Sequence, residues 1–410
     1  MSTDTGHNST VFDGSWHEPN QIVDWAFRAM HLSVIAGKQV VEAYYGKQED
    51  MKSYYLGCST GEALPLRTDL KEIQRFPEDF DGIVIGSPAN WMSHLQSFSI
   101  HINLNVLPVN GSHWIPPALW KGPIHDEVLR QCDMIDGVAD GIINNPLACN
   151  FRPETLSCRP GQDPSACLTL DQIVALRKIY SAYIETNQTF IFNGYYPGGE
   201  LGFPNGLVGE NILTIAPEYF QLWVLNDTSF SPFDLTLADI ELADKIDPGT
   251  QNAIDPNITA FVSAPHNGKV LHYVGWADQL ISPGNSLHYY DTVQAFMQTE
   301  TDASVDDFYR LFTVAGMQHC SGGFGANAFG GSGQAAAGMP PLSNDPQHNI
   351  LSAMVAWVEN GTAPDNFTAV WYEDNDATQG VGFSRPLCKF PANLRFDGGN
   401  SNASSSFTCV

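Results

Sequence analysis

A chain of 410 residues exceeds what most single hydrophobic cores support, so one large domain carrying an insertion, or two domains, is expected. A hydrophobic content of 43% with nine Trp excludes a disordered chain. The formal net charge of −26, from 19 Lys and Arg against 45 Asp and Glu, argues against a cationic surface, and with it against nucleic acid or an anionic membrane as partner.

In chain order, residues 1–20 are polar and lack the basic start and apolar stretch of an export signal. No window approaches the roughly 18 uninterrupted apolar residues of a membrane span. Over 21–45, Ile22, Trp25, Ala26, Ala29, Met30 and Val34 recur at helical spacing, and Gly46 closes the helix. A short buried strand is predicted over 53–57, a helix over 70–76 and a second strand over 81–86, parallel to the first if the helix is a right-handed crossover. The alternation then stops. From about 91 to 266 the sequence is loop-rich in Pro, Asn and aromatics, with four cysteines and a few helical stretches such as 171–182. It resumes with a strand over 269–274, a helix over 284–298, a strand over 310–314, a loop, a helix over 349–359 and a C-terminal tail. The simplest organisation is an α/β sheet domain in two parts, residues 1–90 and 267–410, interrupted by a lid over 91–266.

Three residues at strand ends carry candidate chemistry. Gly57-Cys58-Ser59-Thr60-Gly61 is a G-x-S-x-G pentapeptide following the apolar run Tyr54-Tyr55-Leu56, as a nucleophile elbow requires. Asp278 ends the strand over 269–274, and His319 lies in the loop after the strand over 310–314. Ser, Asp, His is the chain order of an α/β-hydrolase triad: an exposed hydroxyl, an imidazole that takes its proton and a carboxylate that fixes the tautomer. The backbone N–H of Thr60 is the expected oxyanion donor, aided by the following helix N-terminus. Taken singly, each residue has a plainer reading: a chance pentapeptide, a helix-start carboxylate, a satisfied loop histidine.

Eight cysteines invite a disulfide framework. Local spacing suggests Cys132 with Cys149, Cys158 with Cys167 and Cys388 with Cys409, leaving Cys58 for Cys320, one connectivity among 105. N-x-S/T sequons at Asn8, Asn110, Asn187, Asn226, Asn257, Asn360, Asn366 and Asn402 also point to a secreted glycoprotein. A secreted composition without an export signal leads to the expectation that the native N-terminus is missing. In the interrupted region, Asp133, Asp136 and Asp140 fall on a glycine-containing loop after Cys132. They suit a hard, oxygen-seeking cation, although the spacing is not that of an EF-hand, and a solvated acidic turn reads equally from the residues.

Ser53-Tyr54-Tyr55-Leu56-Gly57-Cys58-Ser59-Thr60-Gly61, Gln74-Arg75-Phe76-Pro77-Glu78-Asp79-Phe80-Asp81-Gly82-Ile83, Gly275-Trp276-Ala277-Asp278 and Gly316-Met317-Gln318-His319-Cys320 resemble the tannase and feruloyl esterase family. Ser2-Thr3-Asp4-Thr5-Gly6-His7 and Asp24-Trp25-Ala26-Phe27-Arg28-Ala29 extend the resemblance over essentially the whole chain. It implies a secreted serine carboxylic ester hydrolase acting on feruloyl or galloyl esters through an acyl-enzyme, with Ser59, Asp278 and His319 as triad. It also implies that a Cys58–Cys320 disulfide clamps nucleophile to base; on the simple chain-entropy model such a closure removes roughly 5–6 kcal/mol of denatured-state freedom. For the acidic loop it implies structural Ca²⁺, held by the carboxylates of Asp133, Asp136 and Asp140 and the carbonyls of Val138 and Ile142. No organic cofactor is expected.

Weaker signals accompany these. Gly323-Phe324-Gly325-Ala326-Asn327-Ala328 imitates a dinucleotide fingerprint without a βαβ setting and reads as a flexible loop continued by 330–338. Phe192, Tyr195, Tyr196, Tyr219, Phe220 and Trp223 read equally as an acyl pocket or as lid core. Two departures from the family stand out. Glu62-Ala63-Leu64-Pro65-Leu66-Arg67-Thr68-Asp69 replaces a short Gly-rich segment behind the nucleophile, and the family's upstream strands, with a second oxyanion donor, precede the position of Met1. The chain as written is therefore expected to fold poorly or catalyse slowly, and the alternative reading is a non-catalytic or impaired secreted glycoprotein.

Overall fold

The computed structural model describes residues 18–47, 50–59, 69–301 and 303–410. The Ser2–His7 segment, Thr60 and most of the 62–69 departure lie outside the described residues.

The helix expected over 21–45 is interrupted. A short helix Pro19–Val23 passes into a π-turn Asp24–Arg28 before α1, Ala29–Tyr45, which Gly46 ends with φ +80°. Strand β1, Tyr54–Cys58, leads to α2, Asp69–Arg75, and to β2, Gly82–Gly86. Every residue of β2 is buried, as a strand covered on both faces requires.

A larger departure from the sequence reading follows β2. Helix α3, Met92–Val106, occupies a stretch expected to be loop, and 13 of its 15 residues are buried. Surrounded by protein, it shows no apolar stripe, and the hydroxyls of Ser97 and Ser99 bond back to the carbonyls of Ser93 and Leu95 at 2.7 and 2.9 Å. Its residues Phe98 and Ile102 centre a hydrophobic core with Trp120, Leu176, Ile179, Phe192, Tyr195 and Phe203. Helix α4, Leu170–Tyr180, starts at a capping box of Thr169 and Gln172, and α5 spans Leu237–Ile246.

Strand β3, Lys269–Gly275, α6, Pro283–Glu300, β4, Tyr309–Val314, and α7, Ile350–Asn360, fall where the alternation resumes. The expected tail is instead two antiparallel hairpins. β5, Asn366–Tyr372, pairs with β6, Val381–Cys388, and β7, Leu394–Phe396, pairs with β8, Phe407–Cys409.

The central sheet runs β1-β2-β3-β4, all parallel, with Cys58 opposite Gly86, Gly86 opposite Tyr273 and Gly275 opposite Val314. Side chains alternate across it. Val84, Leu271, Phe312 and Val314 face Ile350, Ala353, Met354 and Trp357 of α7. Ile83, Ile85, Val270 and Leu311 face Leu70 and Ile73 of α2 and Leu287, Val293 and Met297 of α6. His272 on β3 is buried but satisfied, 2.7 Å from the Tyr309 hydroxyl and 2.9 Å from Ser286 Oγ. β2 pairs directly with β3, so residues 87–268 form one excursion from the sheet.

Candidate active site

Parallel strands gather their carboxyl ends at one edge of the sheet. There the chain leaves β1 at Ser59, β3 at Asp278 and β4 toward His319. Ser59 has φ +63°, an uncommon conformation for a residue with a Cβ and the mark of a sharp turn. Two backbone bonds hold the turn: Ser59 N–H donates to Gly86 O at 2.8 Å, and Ala89 N–H donates to Ser59 O at 3.2 Å. The serine lines a small cavity with Lys71, Pro88, Asn90 and Gln251, and burial lowers the Lys71 ammonium pKa from its ordinary value.

Asp278 is fully buried. Its Oδ1 accepts the N–H groups of Leu280 and Ile281, both at 2.9 Å, and its Oδ2 lies 2.8 Å from His319 Nδ1. With Nδ1–H donated to the carboxylate, Nε2 is the ring nitrogen able to accept a proton. The main chain of His319 is also held: its N–H donates to Gln279 Oε1 at 3.1 Å.

Cys58 and Cys320 form a disulfide between fully buried residues 262 positions apart, with a Cα–Cα distance of 5.8 Å. The residue after Cys58 is Ser59 and the residue before Cys320 is His319, so the bridge joins the two loops at the sheet edge. Cys132–Cys149, Cys158–Cys167 and Cys388–Cys409 form the other three bridges, the pairing that spacing suggested.

The glycine-rich segment after His319 is tied down, contrary to a flexible loop. Gly323 O accepts Trp371 Nε1–H at 3.1 Å and Asn375 Nδ2–H at 2.9 Å, and Ala326, Asn327 and Ala328 are buried. Glycine is required by close backbone approach: a Cβ at Gly325 would stand 1.8 Å from Ala315 O. Of the aromatics read as an acyl pocket or as core, Phe192, Tyr195, Tyr219, Phe220 and Trp223 are buried core. Tyr195 has a further role, donating its hydroxyl to Gln279 O. Burial, reinforced by the Asp278 charge, holds that hydroxyl pKa well above its ordinary value, so it remains a donor.

In the acidic loop, Asp133–Asp136 form a short 3₁₀ turn, with Gly137 at φ +97° and the Cys132–Cys149 bridge alongside. Asp133 accepts Gly141 N–H at 3.1 Å, Asp136 accepts Val138 N–H at 3.2 Å and the Asn144 amide, and Asp140 accepts Ile142 N–H at 3.2 Å. Arg385 Nη2 on β6 sits 2.6 Å from Asp140 Oδ2. Burial first, then repulsion from Asp140 and Asp133, pushes the Asp136 carboxyl up to about 6. Among the described residues, the group of three whose ligand atoms converge within 4.8 Å is elsewhere, at His31, Glu72 and Asp79. The acidic loop offers oxygen donors, the ligand type a hard cation takes, but its three carboxylates are not the converging group and Arg385 already pairs with Asp140. The described residues contain no helix long and apolar enough to cross a membrane.

The chain is similar over its whole length to known proteins. The profile of the family described as tannase and feruloyl esterase matches residues 1–410. Probable feruloyl esterase B-1 of Aspergillus flavus is 35% identical over 413 residues, covering all of this chain and 75% of the relative. Probable feruloyl esterase B-2 of Neosartorya fischeri is 36% identical over 412 residues, covering all of this chain and 76% of the relative. Among solved structures, an esterase from Aspergillus oryzae superposes with a TM-score of 0.91 at 35% identity, and feruloyl esterase B from Aspergillus oryzae with 0.89 at 32%. Each match covers 99% of this chain and 78% of the other. Sequence and fold agree over the whole length, and the chain belongs to the tannase and feruloyl esterase family.

Proposed function

We propose that the protein is a secreted serine esterase that cleaves feruloyl or galloyl esters through an acyl-enzyme on Ser59. The supporting observation is the two-sided hold at the sheet edge: a disulfide beside Ser59 and His319, and a buried Asp278 on the His319 ring.

In this reading Ser59 Oγ attacks the ester carbonyl carbon while His319 Nε2 takes its proton. The tetrahedral adduct collapses, the C–O bond to the alcohol breaks, and His319 returns the proton to the departing oxygen. Water repeats the sequence on the acyl-enzyme, releasing the phenolic acid and restoring Ser59. Asp278 holds the imidazole in the accepting tautomer and stabilises the imidazolium. Thr60 N–H is the proposed oxyanion donor. The division into sheet parts 1–90 and 267–410 with a lid over 91–266 belongs to the same proposal, since the excursion after β2 returns at β3.

Structural Ca²⁺ is proposed on Asp133, Asp136 and Asp140 with the carbonyls of Val138 and Ile142, supported by the oxygen-only donor set and the raised Asp136. The cation would brace the lid against the C-terminal hairpins; no chemical step passes through it. Secretion and N-glycosylation are supported by four disulfides and by the exposure of Asn110, Asn187, Asn226, Asn257, Asn360, Asn366 and Asn402.

The test is hydrolysis of methyl ferulate and methyl gallate by the protein and by Ser59→Ala. Loss of turnover in the variant is expected, and undiminished turnover would sink the serine mechanism. A protein inert toward both esters would favour the non-catalytic reading.

A further inference from the structure

Gln279 occupies a position that the triad leaves unexplained. It follows Asp278 directly, and its side-chain oxygen reaches back across the sheet edge to accept the His319 N–H at 3.1 Å. Consecutive residues therefore hold the same histidine at two points: Asp278 at Nδ1 of the ring, Gln279 at the main chain.

The lid fixes Gln279 in turn. Its carbonyl accepts the Tyr195 hydroxyl and, at 3.2 Å, the Leu207 N–H. The lid backbone closes tightly there, because a Cβ on Gly206 would stand 2.0 Å from Gln279 O and 2.7 Å from its Cγ. Two lid segments thus grip the backbone of a residue whose side chain grips His319.

We propose that Gln279 is a positioning residue for His319, transmitting the placement of the lid to the catalytic base. It touches no reacting atom. The disulfide fixes the chain on the Cys320 side of His319, while the Gln279 amide fixes the N–H on the other. A histidine held at only one of these points is free to shift its ring relative to Ser59, and a displacement of about 1 Å costs on the order of a hundredfold in rate. The inference rests on the serine-esterase reading.

The test compares Gln279→Met, which keeps the length but loses the acceptor, with Gln279→Glu, which retains an oxygen at the same reach. With methyl ferulate, Gln279→Met is expected to lower kcat by about ten- to a hundredfold while KM stays within about twofold, the signature of a group that acts on the chemical step. Gln279→Glu is expected to restore kcat to within about threefold of the parent, because the acceptor is present. Tyr195→Phe, which leaves the Gln279 side chain intact, is expected to give a smaller loss confined to kcat. Unchanged kcat in Gln279→Met overturns the proposal. So does an equal loss in the Met and Glu variants, or a loss carried by KM. If either Gln279 variant unfolds, the Tyr195→Phe result decides: loss in kcat supports the coupling, and parent-like kinetics overturn it. Ser59→Ala run in parallel separates the two levels, since an active Ser59→Ala refutes the serine mechanism, whereas a dead Ser59→Ala beside a normal Gln279→Met refutes only the positioning role.

Discussion

Asp278 and His319, on loops that follow neighbouring parallel strands, meet through a 2.8 Å bond between Oδ2 and Nδ1, while the other Asp278 oxygen is engaged by two backbone N–H groups. The carboxylate is thus aimed by its own turn before the histidine arrives. In Asp278→Asn, Oδ1 can still accept from Leu280 and Ile281, but the amide NH₂ then faces His319 and imposes the wrong tautomer. By analogy with other triads, kcat is expected to fall by about 10⁴ with the fold retained. Circular dichroism alongside steady-state kinetics on methyl ferulate checks both halves.

Removing the Cys58–Cys320 bridge as Cys58→Ala with Cys320→Ala has two expected consequences. Thermal stability falls, with a loss bounded at roughly 5–6 kcal/mol by the chain-entropy model. Activity falls further than stability requires, by about a hundredfold at a temperature where the variant is folded, because Ser59 and His319 lose their common anchor. Parent-like kcat in the folded variant would show that the bridge only stabilises.

Calcium chelation is expected to lower the melting temperature, with recovery on adding Ca²⁺ but no change in the kcat of protein that remains folded. A ligand at a hundredfold excess over its Kd stabilises by about 2.7 kcal/mol. Asp136→Asn is expected to remove most of this calcium dependence. Thermal scans in chelator and in Ca²⁺, on parent and variant, provide the readout.

Acid should destabilise the protein through His272, which is buried, and His101, which is half-buried. Burial holds His272 down at about 3 and His101, with Lys178 adding repulsion, at about 4, against an ordinary value of 6.5. The folded state therefore refuses protons that the unfolded chain accepts. Their contribution is present in full above pH 6.5 and is lost progressively as pH falls toward 3. His272→Gln is expected to flatten the fall in melting temperature between about pH 6.5 and 4, where the unfolded chain gains these protons.

What the sequence made legible depended on period and position. Strands β1 to β4 stand out as apolar runs, and residues at their ends have a fixed topological place, so Ser59, Asp278 and His319 could be put at one sheet edge before any coordinates. Cysteine spacing gave three local bridges, leaving the long one as the remainder. Helix α3 was hidden because burial on every side erases the 3.6-residue stripe, and its Ser, His, Gln and Asn residues imitate a loop. Of the C-terminal hairpins, β7 and β8 were hidden because each is three residues long, whereas the seven and eight residues of β5 and β6 mix Asn, Thr, Ser, Arg and Pro with their apolar residues. The segment after His319 looked flexible because its glycines signal freedom, whereas Gly323 and Gly325 serve close packing against backbone. Gln279 carried no signal at all: an amide that accepts one backbone N–H is visible only when the two loops are seen together.

The central claim, that Ser59 is a nucleophile activated by His319, is tested most directly with a fluorophosphonate probe and peptide mapping by mass spectrometry. One adduct per chain on the Ser59 peptide is expected, with methyl ferulate hydrolysis lost in step with labelling. Full hydrolysis while Ser59 stays unmodified, or inactivation with the adduct on another residue, would contradict it.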